Sequence, residues 1–274
     1  MKLLQLTDIH LTVPGQTIGG REPNENFLKA MTHALSHHPD ADAVVITGDL
    51  SDWGDADDYK RLKQMLAGVD VPVHLCIGNH DDRDVFLSVF PEKADEDGFV
   101  QAVIDLPEGT GILLDTWGPD SHAGFYCATR QAWLDQSLAR LQGPIYLFMH
   151  HNPVPIGIVP MDKIMLQDSE GFAQVVSRHS SKIRHIFHGH CHLPLSGSLE
   201  GVPFSAPRGT NHAGWPDFGH NSKLSGSDLP ESYAVILTNA NSVMVHMVEY
   251  GYQGEIRREA SPDYEDWDRL TMVR

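Results

Sequence analysis

The amino-acid sequence predicts an α/β fold whose sheet is largely parallel at its centre. Two observations carry that expectation. Short apolar runs alternate with amphipathic helical segments through the first half of the chain, the order that builds β-α-β units. Five runs along the chain also end in a side chain able to ligate a metal, and open α/β sheets place their chemistry at the carboxyl ends of strands.

In chain order, residues 2–7 lead into Asp8-Ile9-His10. Residues 11–23 are punctuated by Gly and Pro and read as a loop. A helix follows, with Asn24 as its expected N-cap and Phe27, Ala30, Met31, Ala34 and Leu35 on one stripe. Val44-Val45-Ile46-Thr47-Gly48-Asp49 is the clearest strand: a continuous apolar run, a glycine for a tight exit, then a carboxylate. A second helix is expected over 55–66, turning Tyr59, Leu62, Met65 and Leu66 inward. Residues 73–77 lead into Gly78-Asn79-His80-Asp81-Asp82, and Val85, Phe86, Val89 and Phe90 mark a short helix.

Strands near 99–105 and 111–115 break the alternation and make the sheet mixed. A helix bearing Trp133, Leu134, Leu138 and Leu141 precedes the run 145–149, which ends in His150-His151-Asn152. Residues 152–168 are apolar, irregular and rich in Pro, fitting a packed loop or a wall that faces a substrate. The run 183–187 ends in His188-Gly189-His190-Cys191-His192. Beyond it the chain reads as β at 194–206, 232–238 and 243–249, with a long functional loop or lid at 207–230. From Gly254 the tail is charged and aperiodic.

Composition narrows the partners. With 37 acidic against 20 basic residues the formal charge is −17, and no Lys/Arg cluster interrupts it. Nucleic-acid polymers and anionic membranes are therefore not expected partners. No apolar run approaches the roughly 20 residues of a membrane-spanning helix. The first strand starts at residue 2, leaving no room for a signal peptide, and Cys76, Cys127 and Cys191 form no CxxC pair. A cytoplasmic protein is expected.

Histidine is the outlier, with 17 copies. Some, such as His37, His38 and His179, suit a solvated surface. Asp8 and His10, and His190 and His192, are different: at a strand end residues i and i+2 point the same way, so each pair can hold one ion. Any single pair is a weak signal. The ordered set Asp-x-His, Gly-Asp, Gly-Asn-His-Asp, strand-terminal His and Gly-His-x-His is a strong one.

With those five motifs, at Asp8-Ile9-His10, Gly48-Asp49, Gly78-Asn79-His80-Asp81, Met149-His150-His151 and Gly189-His190-Cys191-His192, the sequence resembles the calcineurin-like metallophosphoesterase superfamily. It looks most like the bacterial class III cyclic-nucleotide and glycerophosphodiester phosphodiesterases, adding Pro207-Arg208-Gly209-Thr210-Asn211-His212 to the match. The resemblance implies a four-layer αββα sandwich with two mixed sheets and a dinuclear site at the strand ends. It implies a catalytic core over 1–212, with 213–274 completing the sheet. Asp8, His10 and His192 would hold one ion, Asn79, His150 and His190 the other, and Asp49 would bridge them. His80 would act on the phosphate or leaving group, and Asn79 and His212 would lie against the substrate. His188 and His151 match no ligand position.

The chemistry agrees. Two divalent ions outweigh the charges of Asp8 and Asp49, so the site stays cationic within an acidic protein and draws in a compact phosphodiester. Closely spaced ions acidify a bridging water to hydroxide for in-line attack. Mn, Fe and Zn all suit a set of imidazole and carboxylate donors. Phosphomonoester or nucleotide hydrolysis is the alternative activity; a protein phosphatase fits less well, because Trp53 stands where that branch carries Arg. A catalytically silent scaffold is the alternative from another class. A homo-oligomer is expected through 243–250, the alternative being that this strand is interior.

Overall fold

The computed structural model describes residues 1–219 and 223–256. Most of the tail expected from Gly254, and residues 220–222 of the long loop, lie outside the described residues. The first half runs β1 (Lys2–Leu6), α1 (Pro23–His37), β2 (Ala43–Thr47), α2 (Ala56–Leu66), β3 (Val73–Cys76), α3 (Arg83–Val89), β4 (Ala102–Leu106) and β5 (Gly109–Leu113). Then come α4 (Ala128–Arg140), β6 (Ile145–Phe148), α5 (Val159–Asp162), α6 (Ser169–His179) and β7 (Ile183–Phe187). The remainder is β8 (Leu195–Leu199), β9 (Val202–Ala206), β10 (Ala213–Trp215), β11 (Ser225–Ser227), β12 (Tyr233–Thr238) and β13 (Val243–Val248).

Two mixed sheets result, each with a parallel centre. In the order β13-β12-β1-β2-β3, strands β1 to β3 are parallel and β12 and β13 join antiparallel. In the order β4-β5-β6-β7-β9-β8, the four inner strands are parallel and β4 and β8 form antiparallel edges.

The strand sequences explain why the sheets stack. Successive side chains face opposite ways, so a continuous apolar run buries both faces. Val44 and Ile46 of β2 pack with Phe27 and Ala30 of α1 and Leu62 of α2, while Ala43 and Val45 turn toward the other sheet. On β6, Ile145 and Leu147 meet Leu134 and Leu138 of α4 and Phe172 of α6, while Tyr146 and Phe148 turn inward. The layers are therefore helix, sheet, sheet, helix.

Several elements differ from expectation. Asn24 is not the cap of α1: Pro23 occupies its first turn and the Glu22 carboxylate accepts the Glu25 N–H, a pairing proline favours by fixing φ. Asn24 is buried and donates instead to the Thr12 carbonyl at 3.0 Å. The 152–168 segment contains the short α5, and α6 was not foreseen, although Phe172, Val175 and Val176 follow helical spacing. The run 194–206 is a hairpin turning at Glu200 and Gly201, both left-handed at φ 51° and 80°, as a two-residue turn of this hand requires. Within 207–230, β10 and β11 pair into a ribbon. No helix among the described residues is long and apolar enough to cross a membrane.

Candidate metal centre

The strand ends of the two sheets face one another, and side-chain bonds to main-chain groups join them. His150 Nδ1, after β6, donates to the Thr47 carbonyl of β2 at 2.8 Å. The His190 N–H, after β7, donates to both Asp8 carboxylate oxygens at 3.1 and 3.2 Å. Within the first sheet the His10 N–H bonds the Asp49 carbonyl at 2.9 Å.

The motif glycines are there because nothing larger fits. A β-carbon at Gly48 would lie 2.5 Å from His150 Nδ1, and one at Gly78 would lie 2.7 Å from His150 Nε2. The backbone around them is bent further. Among the described residues, seven non-glycine residues are left-handed, and five of those are candidate ligands: Asp8 (φ 53°), His10 (47°), Asp49 (51°), His190 (69°) and His192 (51°). Each such residue costs about 1–2 kcal/mol, so the surrounding fold must enforce it.

All seven expected ligands meet in one cluster. Ligand atoms of Asp8, His10, Asp49 and His192 lie within 4.8 Å of one another. On the other side, His150 Nε2 stands 3.1 Å from Asn79 Oδ1, and His150 and His190 rings are 5.1 Å apart. Asp49 lies between the groups: Oδ2 is 3.6 Å from His10 Nε2, and Oδ1 is 3.3 Å from His150 Nε2.

The imidazoles are held in the tautomer that a cation needs. Nδ1 of His10 donates to Asp52 at 3.1 Å, that of His150 to Thr47, and that of His192 to the His212 carbonyl at 2.9 Å. Each therefore turns Nε2 inward, the outer-partner arrangement typical of metal-ligating histidines. Burial lowers the pKa of His190 and His192 and keeps them neutral. Burial opposes protonation of His150 too, yet the Asp49 charge prevails and pushes it up to about 9. Asp49, despite burial, is held well below the usual carboxylate range by His150 and its other imidazole neighbours. A divalent cation would take the place of that His150 proton, so the donor set fits metal ions.

His80 stands beside the cluster, with Nδ1 donating to the Asp52 carbonyl at 2.9 Å and its ring 4.7 Å from that of His10. His212 packs 4.2 Å from the His192 ring and also falls within ligand distance of His10 and His192. His151, expected to lie outside the ligand set, reaches ligand distance of His150 and His190 and bonds Thr116 through Nδ1 at 2.8 Å. His188 is buried and donates to its neighbour Gly189, apart from those groups.

Two neighbours of the cluster had no role in the sequence reading: His122 was not singled out, and Asp81 stood there only as part of its motif. His122 accepts a bond from Asn79 Nδ2 at 2.9 Å, which directs the Asn79 oxygen toward His150. It sits in an irregular Asp-Ser-His-Ala-Gly stretch that carries no periodic signal. Asp81 binds the two motif loops together, accepting the N–H groups of Leu50, Ser51 and Gly78 and the Tyr59 hydroxyl. The cluster opens into a cavity of about 590 Å³ whose walls include Asn79, His80, His122 and His212.

Two mixed sheets that bring acid, amide and imidazole donors to facing strand ends define a metallophosphoesterase. Residues 1–194 match the family model described as calcineurin-like phosphoesterase, and the chain belongs to that family. It is 36% identical over 261 residues to a Rhodopseudomonas palustris protein named a probable cyclic nucleotide phosphodiesterase, covering 93% of this chain and 95% of that one. It is 31% identical over 156 residues to the glycerophosphodiester phosphodiesterase GpdQ of Enterobacter lignolyticus, covering 55% and 56% of the two chains. Among solved structures, a dimetal phosphatase from Danio rerio shares the fold at a TM-score of 0.66 and 15% identity, covering 91% and 96%.

Proposed function

We propose that the chain is a metal-dependent phosphodiesterase acting on small phosphodiesters, of the cyclic-nucleotide or glycerophosphodiester kind. The observation that carries the reading is Asp49, which presents one oxygen to each half of the imidazole cluster. Asp8, His10 and His192 would hold one ion and Asn79, His150 and His190 the other. Two such ions, Mn, Fe or Zn, would acidify a water and neutralise the phosphate. The rest falls to the chain. With its Nδ1–H committed to the Asp52 carbonyl, His80 turns Nε2 to the departing oxygen, and it is the doubly protonated ring that would give that oxygen the Nε2 proton. Burial and the adjoining His192 and His10 push the His212 pKa down to about 2, so it serves as a neutral wall beside the phosphate.

His80→Ala should keep both ions, measured by elemental analysis, and lose about 10²–10⁴-fold in rate on esters with poor leaving groups. The loss should shrink for p-nitrophenyl esters, which need no proton. Emptying of a metal site in this variant, or equal slowing of all esters, would sink the acid role.

We further place the protein in the cytoplasm, where its cysteines, free among the described residues, would stay reduced. The core to 212 carries the chemistry and the later strands complete the first sheet. β13 is the expected self-association edge; Met244 is 53% exposed while Val243 and Val245 pack inward. A monomer in light scattering at micromolar concentration would refute that edge contact.

A further inference from the structure

The cavity over the metal centre has two unlike walls. One is the polar cluster itself. The other is apolar: Ile158 and Met161 of the α5 segment, Ile164, Leu193, and Trp215 and Leu224 at the connected end of the β10–β11 ribbon. Among the described lining residues Asp49 is the one carboxylate, and none is Lys or Arg. Trp215 and Leu224 are 52% and 53% exposed, though a lone surface loop has no need of two large apolar side chains turned to water beside a catalytic cluster.

We propose that this wall is a subsite for a planar aromatic substituent of the phosphodiester, with Trp215 as the stacking face. The inference rests on the phosphodiesterase reading and names the substrate class within it. Neighbouring rings connect the leaving-group side of the site to the ribbon. His122 and His80 lie 5.0 Å apart, His80 and His10 4.7 Å, and His10 and His212 4.9 Å, and His212 runs directly into β10. A leaving oxygen served by His80 would stand toward the His122 side, and the substituent retained on phosphorus toward the ribbon.

The chemistry of the wall selects among substituents. A methyl or glyceryl group is too small to cover it and leaves apolar surface wet. A choline or ethanolamine cation finds one aromatic ring and aliphatic neighbours, without the several aromatic faces or the free carboxylate that cations favour. A nucleobase or an aryl ring covers Trp215 and is sequence-tolerant in how it stacks. The volume, about 590 Å³, is that of a site for a ligand larger than a bare phosphodiester.

The test holds the leaving group constant. Full-length, Mn-loaded enzyme is given p-nitrophenyl phosphodiesters whose second substituent is thymidine (through its 5′ oxygen), phenyl, methyl or choline. The expected result is a kcat/KM for the thymidine and phenyl esters about tenfold or more above that for the methyl and choline esters, the usual worth of one aromatic stack. In Trp215→Ala the phenyl-to-methyl ratio should fall toward one, in Trp215→Phe it should survive, and in Leu224→Ala it should drop in part. Equal kcat/KM for all four esters, a preference for the choline ester, or a ratio untouched by Trp215→Ala would overturn the subsite while the phosphodiesterase reading stands. Turnover of none of them would overturn that reading itself.

Discussion

Replacing Asp81 by alanine should loosen the metal centre without removing a ligand. Its oxygens accept from Gly78 N at 2.7 Å, Ser51 N at 3.0 Å, Leu50 N at 3.1 Å and the Tyr59 hydroxyl at 2.9 Å. Gly78 precedes Asn79, and Leu50 follows Asp49, so one carboxylate holds both motif loops. Three buried N–H donors left unpaired cost about 1–3 kcal/mol each. Against this, burial and then the neighbouring Asp49 charge raise the Asp81 pKa from 3.8 to about 6. A carboxyl whose pKa is raised by folding destabilises the fold above that pKa, here by about 3 kcal/mol at neutral pH, and this penalty disappears with the side chain.

The net loss for Asp81→Ala should therefore be about 3 kcal/mol, a large share of the 5–15 kcal/mol typical of a domain. Asp81→Asn keeps one acceptor oxygen and sheds the charge, so it should stay within about 1 kcal/mol of the parent. Guanidinium unfolding of chelator-treated protein measures both. The same variants, titrated with Mn, should show a 10–100-fold weaker second site in Asp81→Ala, the usual cost of losing an outer-shell partner. An alanine variant within about 0.5 kcal/mol of the parent, with unchanged Mn affinity, would refute the clamp.

Three further outcomes are expected. Because His150 carries a proton up to about pH 9, a metal ion must displace it, so Mn affinity should fall by up to tenfold per unit as pH drops below about 9; a flat titration between pH 6 and 9 would contradict this. Asp49→Ala should remove both ions and Asn79→Ala mainly one, since a carboxylate can donate to two cations and an amide oxygen to one; equal metal loss in elemental analysis would count against the bridge. His122→Ala frees the Asn79 amide, so the second ion should bind about tenfold more weakly while the first is unaffected; calorimetry that finds both sites unchanged would remove His122 from the site.

What the sequence made legible follows from where the physics is local. A buried parallel strand must be apolar throughout, so the runs before Asp8, Asp49, Asn79, His150 and His190 stood out, and their strand-end positions placed the donors in one cluster. The glycines at 48 and 78 were readable as tight exits, whereas their second role, clearing space for the His150 ring, depends on a neighbour about 100 and 70 residues away in sequence and was invisible. His122 was hidden for the same reason: what distinguishes it is the asparagine and the neighbouring ring it meets through the fold. The β10–β11 ribbon is short and Gly- and Ser-rich, so no two-residue alternation marked it. The helix α6 was legible and missed, since Phe172, Val175 and Val176 have the spacing of a buried stripe. At the start of α1, a proline and the carboxylate just before it outcompeted the asparagine that a residue-by-residue preference favours.

The pairing of β12 with β1 sets the order in which this chain can be completed as it is made. Leu3 lies opposite Ile236, so the outer rim of β1 waits for a segment synthesised more than two hundred residues later. Until then its N–H and C=O groups form an open template beside the residues that will become the catalytic cluster. Contacts of such long range also close slowly. A nascent chain released early, or a recombinant fragment ending with the matched family region at 194, would expose that rim permanently and should pair with other copies of itself; an added tag is better carried beyond β13, the last strand among the described residues.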